Sequence, residues 1–287
     1  MSSYPPTDPA LQTAGIAFIG AGNMGGAIAG GLAQSGHAPE RISLYDTDAA
    51  RANSVANAFG MRPARDAGDA IADADIVILA VKPQHITTAL ASLRAGLNAH
   101  KPLLISIAAG VSTANLAKHS GLGSACVRAM PNLPALVGAG VTGLFGTGLT
   151  GSMRAQASYV MGAVGEVVWL EDEQAFDALT ALSGSGPAYF FALTEAMAAA
   201  GRELGLSNAL AEALARQTLI GAGALVAGSS DSVTLLRERV TSKGGTTAAA
   251  LDVWQAHPGL FELAETAMRA AATRSAELGA ALEEGSA

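Results

Sequence analysis

At 287 residues, half of them apolar, the chain is long enough for two domains of ordinary size and can bury a substantial core. The net charge of -7 rests on only 14% charged residues, and no basic cluster follows a line that a phosphate backbone would need, which argues against a nucleic-acid partner. The single cysteine, Cys126, excludes an internal disulfide and any cysteine-built metal site; lying in the apolar run of residues 124–127, it reads as a buried structural thiol.

Residues 1–13 hold three prolines and no periodicity, and read as a flexible extension. They lack a basic stretch followed by an apolar one, and no apolar run reaches the roughly 18 to 20 residues of a membrane span. A cytoplasmic chain with no membrane partner is expected. From Ala14 strands and helices alternate: a strand over residues 15–20, a helix from Asn23, a strand over 42–45, and a helix over 48–59. The alternation continues with a strand over 76–81, a helix from Gln84, a strand over 103–107, a short helix near 113–118, and runs at 125–128, 141–145 and 167–170. This is the βαβ pattern of a parallel sheet, so the fold class is α/β, with a Rossmann-type doubly wound parallel sheet over residues 14–170. After the acidic turn at 171–173 the chain turns alanine-rich and helical, and residues 171–287 read as an all-helical domain. In the last helix Leu260, Leu263, Ala264, Ala267, Met268 and Ala271 recur at spacings of three and four. That stripe serves either a small core or a dimer interface.

Between the first strand and its helix stand Ile19, Gly20, Ala21, Gly22, Asn23, Met24 and Gly25, a G-x-G-x-x-G loop in its proper context. Gly20 permits the tight turn, Gly22 lets backbone approach a pyrophosphate, and Gly25 lets the helix pack on the strand. Asp46 closes the second strand about 20 residues further on, where a carboxylate reaches the adenosine ribose. It favours NADH over NADPH by repelling a 2′-phosphate, whereas Arg51 pulls the other way, so both nicotinamides stay open. Ala80, Val81, Lys82 and Pro83 end the next long strand, and Ala108, Ala109 and Gly110 follow another, outlining one ligand crevice at the carboxyl edge of the sheet.

Three further segments follow in order: Met130-Pro131-Asn132-Leu133-Pro134-Ala135, Ser183-Gly184-Ser185-Gly186-Pro187-Ala188-Tyr189, and Val240-Thr241-Ser242-Lys243-Gly244-Gly245-Thr246-Thr247. With the glycine loop and the Val81-Lys82-Pro83 turn, they resemble pyrroline-5-carboxylate reductase from about Gly15 to the end. The resemblance implies reduction of 1-pyrroline-5-carboxylate to L-proline with NADH or NADPH. It implies a substrate site at Ser242, Gly244, Gly245, Thr246 and Thr247, and a homodimer built by the C-terminal helices and able to assemble further. Lys243 stands where that family frequently has proline, and Asp46 where it often has a small polar residue.

The residues support this chemistry on their own. Gly244 and Gly245 ahead of a helix present backbone N–H groups to a carboxylate. The Thr247 hydroxyl is placed to hydrogen-bond a ring nitrogen and orient an imine against the nicotinamide, which makes Thr247 the catalytic candidate. A 3-hydroxy-acid dehydrogenase is the nearest rival, but it needs a lysine base, and no lysine occurs between Lys118 and Lys243. A non-enzymatic nucleotide sensor would not need the Ser242 to Thr247 segment. His37, His85, His100, His119 and His257 are scattered without ligand spacing, so no metal site is expected, and most should lie on the surface or in loops. Of these, His85 follows the Lys82-Pro83 turn. Glu195 reads as a solvated or interface carboxylate, and Tyr189 as core.

Overall fold

The computed structural model describes residues 9–284. Among them, eight strands form one sheet: β1 (Ile16–Ile19), β2 (Ile42–Tyr45), β3 (Arg62–Pro63), β4 (Ile76–Leu79), β5 (Leu103–Ser106), β6 (Cys126–Met130), β7 (Gly140–Phe145) and β8 (Gly165–Trp169). Their order is β3-β2-β1-β4-β5-β6-β7-β8, and every neighbouring pair is parallel except β6 with β7. The inner strands are continuous apolar runs because both of their faces are covered. In β1, Ile16 and Phe18 join one cluster with Ile28 and Leu32 of the helix Asn23–Gln34, whereas Ala17 and Ile19 join another with Leu90 and Leu93 of the helix Ile86–His100. The chain reverses direction across the sheet at β1, which pairs with β2 on one side and β4 on the other. A doubly wound sheet places its ligand at that switch point, beyond the carboxyl ends of the strands.

The described chain divides into two compact units, residues 9–184 with 272–284, and residues 185–271. The division falls later than the residue 170 expected from composition. Phe176 and Ala181 are buried in the first unit, and the Glu173 carboxylate accepts from the Thr113 amide and hydroxyl, both at 2.8 Å, and from Arg128 at 3.2 Å. The end of the last helix, Leu260–Glu284, also belongs with the sheet: Ser275 donates to Asp177 at 2.7 Å, and Leu282 packs against the second apolar cluster. The all-helical unit is therefore shorter at both ends than 171–287.

Other departures are local. Of the expected extension, residues 1–8 lie outside the described residues, but Pro9–Gln12 form a helical turn. The Gln12 carbonyl accepts from Ala38 and the Thr13 carbonyl from Arg41, both at 3.0 Å, so order begins before Ala14. The third long strand stops at Leu79, and Pro83–His85 make a 3-10 turn ahead of the helix expected at Gln84. Strand β3 and the helices Ala67–Ile71 and Gly151–Gly162 were not expected.

The second unit contains the helices Gly186–Glu203, Asn208–Gly228, Val233–Arg239 and Thr246–Gln255, with the start of Leu260–Glu284. Ser207 and Ser232 cap two of them, accepting from Leu210 at 3.4 Å and Leu235 at 3.2 Å. Its buried apolar side chains are only alanines, Ala198, Ala211 and Ala215, while Phe190, Phe191, Ile220, Leu225, Leu260 and Leu263 are exposed. The terminal stripe therefore does not form a core within this chain. Contrary to the sequence reading, the helix Asn208–Gly228 is long and apolar enough, by length and composition, to cross a membrane. Glu212 and Arg216 interrupt its apolar run, so the sequence shows no unbroken span there.

Candidate dinucleotide and substrate site

The glycine loop joins β1 to its helix as the sequence predicts. Gly20 has φ of 106°, and a Cβ there would lie 2.5 Å from the Ala80 carbonyl oxygen, so only glycine fits. A Cβ at Gly25 would collide with the Gly20 carbonyl oxygen and come within 2.9 Å of the Ala80 Cβ, which holds the helix tight against β4. Gly22 is different, since a Cβ there meets nothing within 4 Å. It is the N-cap of the helix Asn23–Gln34, and no side chain caps that helix. The first turn thus has no side-chain cap and leaves room beside Gly22, which fits a pyrophosphate anion. Ile19 and Ala21 are buried, leaving only their backbone to a ligand, whereas Asn23 is exposed and Met24 half-buried.

Asp46 is tied to this loop. Its Oδ2 accepts the Ala21 N–H at 2.8 Å and its Oδ1 the Asp48 N–H at 2.9 Å. Arg51 donates to both oxygens at 3.3 Å and also pairs with Asp48 at 3.2 Å. Burial works to raise the Asp46 carboxyl, but the two amides and the Arg51 guanidinium outweigh it and hold it below the ordinary carboxylate value.

The remaining predicted cofactor residues reach the same edge. Ala80 donates to the Ile19 carbonyl at 2.8 Å, continuing the pairing of β4 with β1. Val81 and Pro83 are half-buried and Lys82 is exposed. Beyond β5, Ala108 is buried, Ala109 exposed, and Gly110 takes φ of 78°. Between Ala108 and the sheet, Ser106 Oγ accepts the Ala108 N–H at 3.3 Å.

The segment Ser242 to Thr247 lies in the helical unit. The Thr241 hydroxyl donates to the Arg237 carbonyl at 2.6 Å, anchoring the segment to the helix before it. Gly244 has φ of 72°, and Gly245 donates to the Ser242 carbonyl at 3.0 Å. A Cβ on Gly245 would meet the Ser242 hydroxyl, which would have to turn aside. Gly245 is the N-cap of Thr246–Gln255, again without a side-chain cap. Ser242, Lys243, Gly244 and Thr246 are exposed and Thr247 is half-buried.

Known proteins share this arrangement. Residues 173–278 match a family model described as pyrroline-5-carboxylate reductase dimerisation, and residues 15–110 one described as NADP oxidoreductase coenzyme F420-dependent. A pyrroline-5-carboxylate reductase of Pseudomonas aeruginosa is 42% identical over 269 residues, covering 93% of this chain and 98% of the relative. The solved pyrroline-5-carboxylate reductase of Coxiella burnetii has a TM-score of 0.88 at 39% identity over 93% of this chain and 98% of its own. That of Plasmodium falciparum, solved with NADP bound, has a TM-score of 0.78 at 28% identity over 93% and 99%.

The chain belongs to the pyrroline-5-carboxylate reductase family. It is an NAD(P)H-dependent oxidoreductase with a Rossmann-type parallel sheet and a helical C-terminal region, as expected.

Two features of this reductase escaped the sequence reading. Asn132, in the Met130-Pro131-Asn132 segment, is buried and uses both ends of its amide, donating to the Ser183 carbonyl at 3.1 Å and accepting from Val141 at 2.9 Å. Ser183 lies in a π-helical turn, Thr180–Gly184, of a kind that recurs at functional sites. The sequence carries no signal for the Asn132 bridge, whose partners lie 51 and 9 residues away. Arg128 stacks over the Phe176 ring at 4.1 Å while pairing with Glu173.

The residues left aside are mostly placed as expected. Cys126 is buried, which pushes its thiol up. His85, His100, His257 and Glu195 are exposed. His37 is not a surface residue: it is buried, with Nδ1 3.0 Å from the Tyr159 hydroxyl. Tyr189, expected in the core, is 37% exposed because the helical unit encloses so little.

Proposed function

We propose that this chain reduces 1-pyrroline-5-carboxylate to L-proline, with NADPH or NADH held at residues 19–25, 46, 80–83 and 108–110 and the substrate held by Ser242, Gly244, Gly245, Thr246 and Thr247. One observation carries the assignment of the sites: two glycine-led helix starts, at Gly22 and Gly245, are left without side-chain caps. Each suits an anion, and the reaction brings two, the cofactor pyrophosphate and the substrate carboxylate.

The bound nicotinamide supplies hydride. The chain's work is to bind and orient. The Gly22 helix start holds the pyrophosphate, and the Gly245 helix start fixes the carboxylate. The Thr247 hydroxyl hydrogen-bonds the ring nitrogen and orients the imine for hydride transfer, and such positioning supplies much of the rate. The imine nitrogen is basic enough to arrive protonated, so no general acid is assigned. Lys82 contributes backbone contacts, and the small residues at Ala108, Ala109 and Gly110 leave room for a flat ring. Lys243 adds a positive charge beside the carboxylate.

The exposed apolar side chains of the second unit support a homodimer, able to assemble further, in which the helices from about residue 171 onward serve dimerisation and substrate binding and residues 14–170 bind the dinucleotide. In the same reading the apolar surface of Asn208–Gly228, which carries Glu212 and Arg216, meets a second copy and no membrane. The chain works in the cytoplasm, without a nucleic-acid partner. Purified protein with 1-pyrroline-5-carboxylate and each nicotinamide tests the reaction: cofactor consumption matched by proline is expected. Cofactor binding without turnover would favour the sensor reading instead.

A further inference from the structure

Resting on the cofactor site proposed above, we propose that the end of β2 selects NADH against NADPH, through Asp46 and Asp48 jointly holding Arg51. A cofactor with a 2′-phosphate needs a free cation or a free helix start where the adenosine ribose lies, whereas one with a ribose diol needs an acceptor. The structure commits both anion-binding features to the chain's own carboxylates. Arg51, five residues beyond Asp46, donates to Asp46 Oδ1 and Oδ2 at 3.3 Å and pairs with Asp48 Oδ2 at 3.2 Å, while Arg41, five residues before it, donates to the Thr13 carbonyl at 3.0 Å. The helix Ala49–Phe59 is capped by Asp48, whose Oδ1 accepts the Arg51 N–H at 3.3 Å. The next arginines, Arg62 and Arg65, are both paired with Asp69.

Two carboxylates against one guanidinium leave this corner net negative. A 2′-phosphate, carrying roughly -1.5 to -2, would have to displace both aspartates from Arg51. A ribose diol meets no such barrier. A carboxylate offers about four lone-pair positions, and the backbone N–H groups of Ala21 and Asp48 are the short contacts on Asp46, at 2.8 and 2.9 Å. Positions engaged only by the longer Arg51 contacts are left for the ribose hydroxyls. The Ala21 bond also couples the selecting carboxylate to the loop that receives the pyrophosphate, so Asp46 both chooses the cofactor and positions the glycine loop.

The test is kcat/KM for NADH and NADPH with the full chain, alongside dissociation constants for each cofactor from nicotinamide fluorescence. The wild type is expected to favour NADH by about tenfold or more in both readouts. D46S should shift the ratio towards NADPH by about tenfold or more. Because D46S also removes the Ala21 anchor, D48S is the companion variant. Serine keeps a helix cap, removes one carboxylate from Arg51, and should raise kcat/KM for NADPH. Equal or better binding and turnover of NADPH by the wild type would overturn the proposal, as would a ratio unmoved in both variants. If NADH binds more tightly but neither cofactor turns over, selectivity stands and the reductase reading fails.

Discussion

The Asn132 amide bridges two segments far apart in sequence, donating to the Ser183 carbonyl at 3.1 Å while accepting the Val141 N–H at 2.9 Å. It thereby ties the segment after β6 to the π-helical turn at Thr180–Gly184. Asn132→Ala leaves both backbone groups without this partner in a buried place, and should cost about 1 to 3 kcal/mol. Thermal or urea unfolding measures it, and an unchanged midpoint would show that the bridge adds no stability.

The glycine loop separates binding from folding. Gly25→Ala places a methyl against the Gly20 carbonyl and Ala80, so it should destabilise the fold and abolish cofactor binding together. Gly22→Ala places its methyl in open space at an ordinary φ of -67°. That variant should keep its unfolding midpoint yet bind cofactor about tenfold or more weakly. Equal cofactor affinity in Gly22→Ala would mean that the pyrophosphate lies elsewhere.

If the Thr247 hydroxyl acts on the substrate ring as proposed, Thr247→Ala should lower turnover by about tenfold or more while leaving the cofactor dissociation constant within about twofold. Steady-state kinetics with a parallel cofactor titration decides this. An unchanged kcat would remove Thr247 from the mechanism.

Much of this was legible in the sequence where a residue type is forced by backbone geometry. Gly20 and Gly25 could be assigned from letters alone, since a tight turn and a close helix contact admit nothing else. The strands β1, β4 and β5 announced themselves as unbroken apolar runs because both faces are covered. Strand β3 did not, being two residues long and ending in a proline. Nor did the sequence reveal that β7 turns antiparallel, since a strand's side-chain period is the same in either direction. Composition changes at residue 171, where the dimerisation family match also begins near 173, but the compact unit runs on to residue 184 through the burial of Phe176 and the Glu173 ion pair, which depend on long-range contacts and cannot be read from composition. The spacing of Asp46 from the glycine loop is visible in the sequence, but its bond to Ala21 and its hold on Arg51 appear only once the chain is folded.

His37 makes stability depend on pH. Burial lowers its imidazole below the ordinary value of 6.5, against the opposing pull of the Ala14 and Leu11 carbonyls. The folded state therefore resists a proton that the unfolded chain accepts near 6.5, so this contribution is present above that pH and lost as pH falls below it. Urea unfolding from pH about 8 to about 5 should show His37→Gln losing less stability across that range than the wild type. Parallel curves would assign the acid sensitivity to other groups.

The most direct measurement of the central claim is isotope transfer from nicotinamide deuterated at the reactive C4 position to the product. Incubation with 1-pyrroline-5-carboxylate should give proline carrying deuterium at the ring carbon that was the imine carbon. Proline formed without that label, or cofactor oxidised without proline, would contradict direct hydride transfer between the two bound ligands.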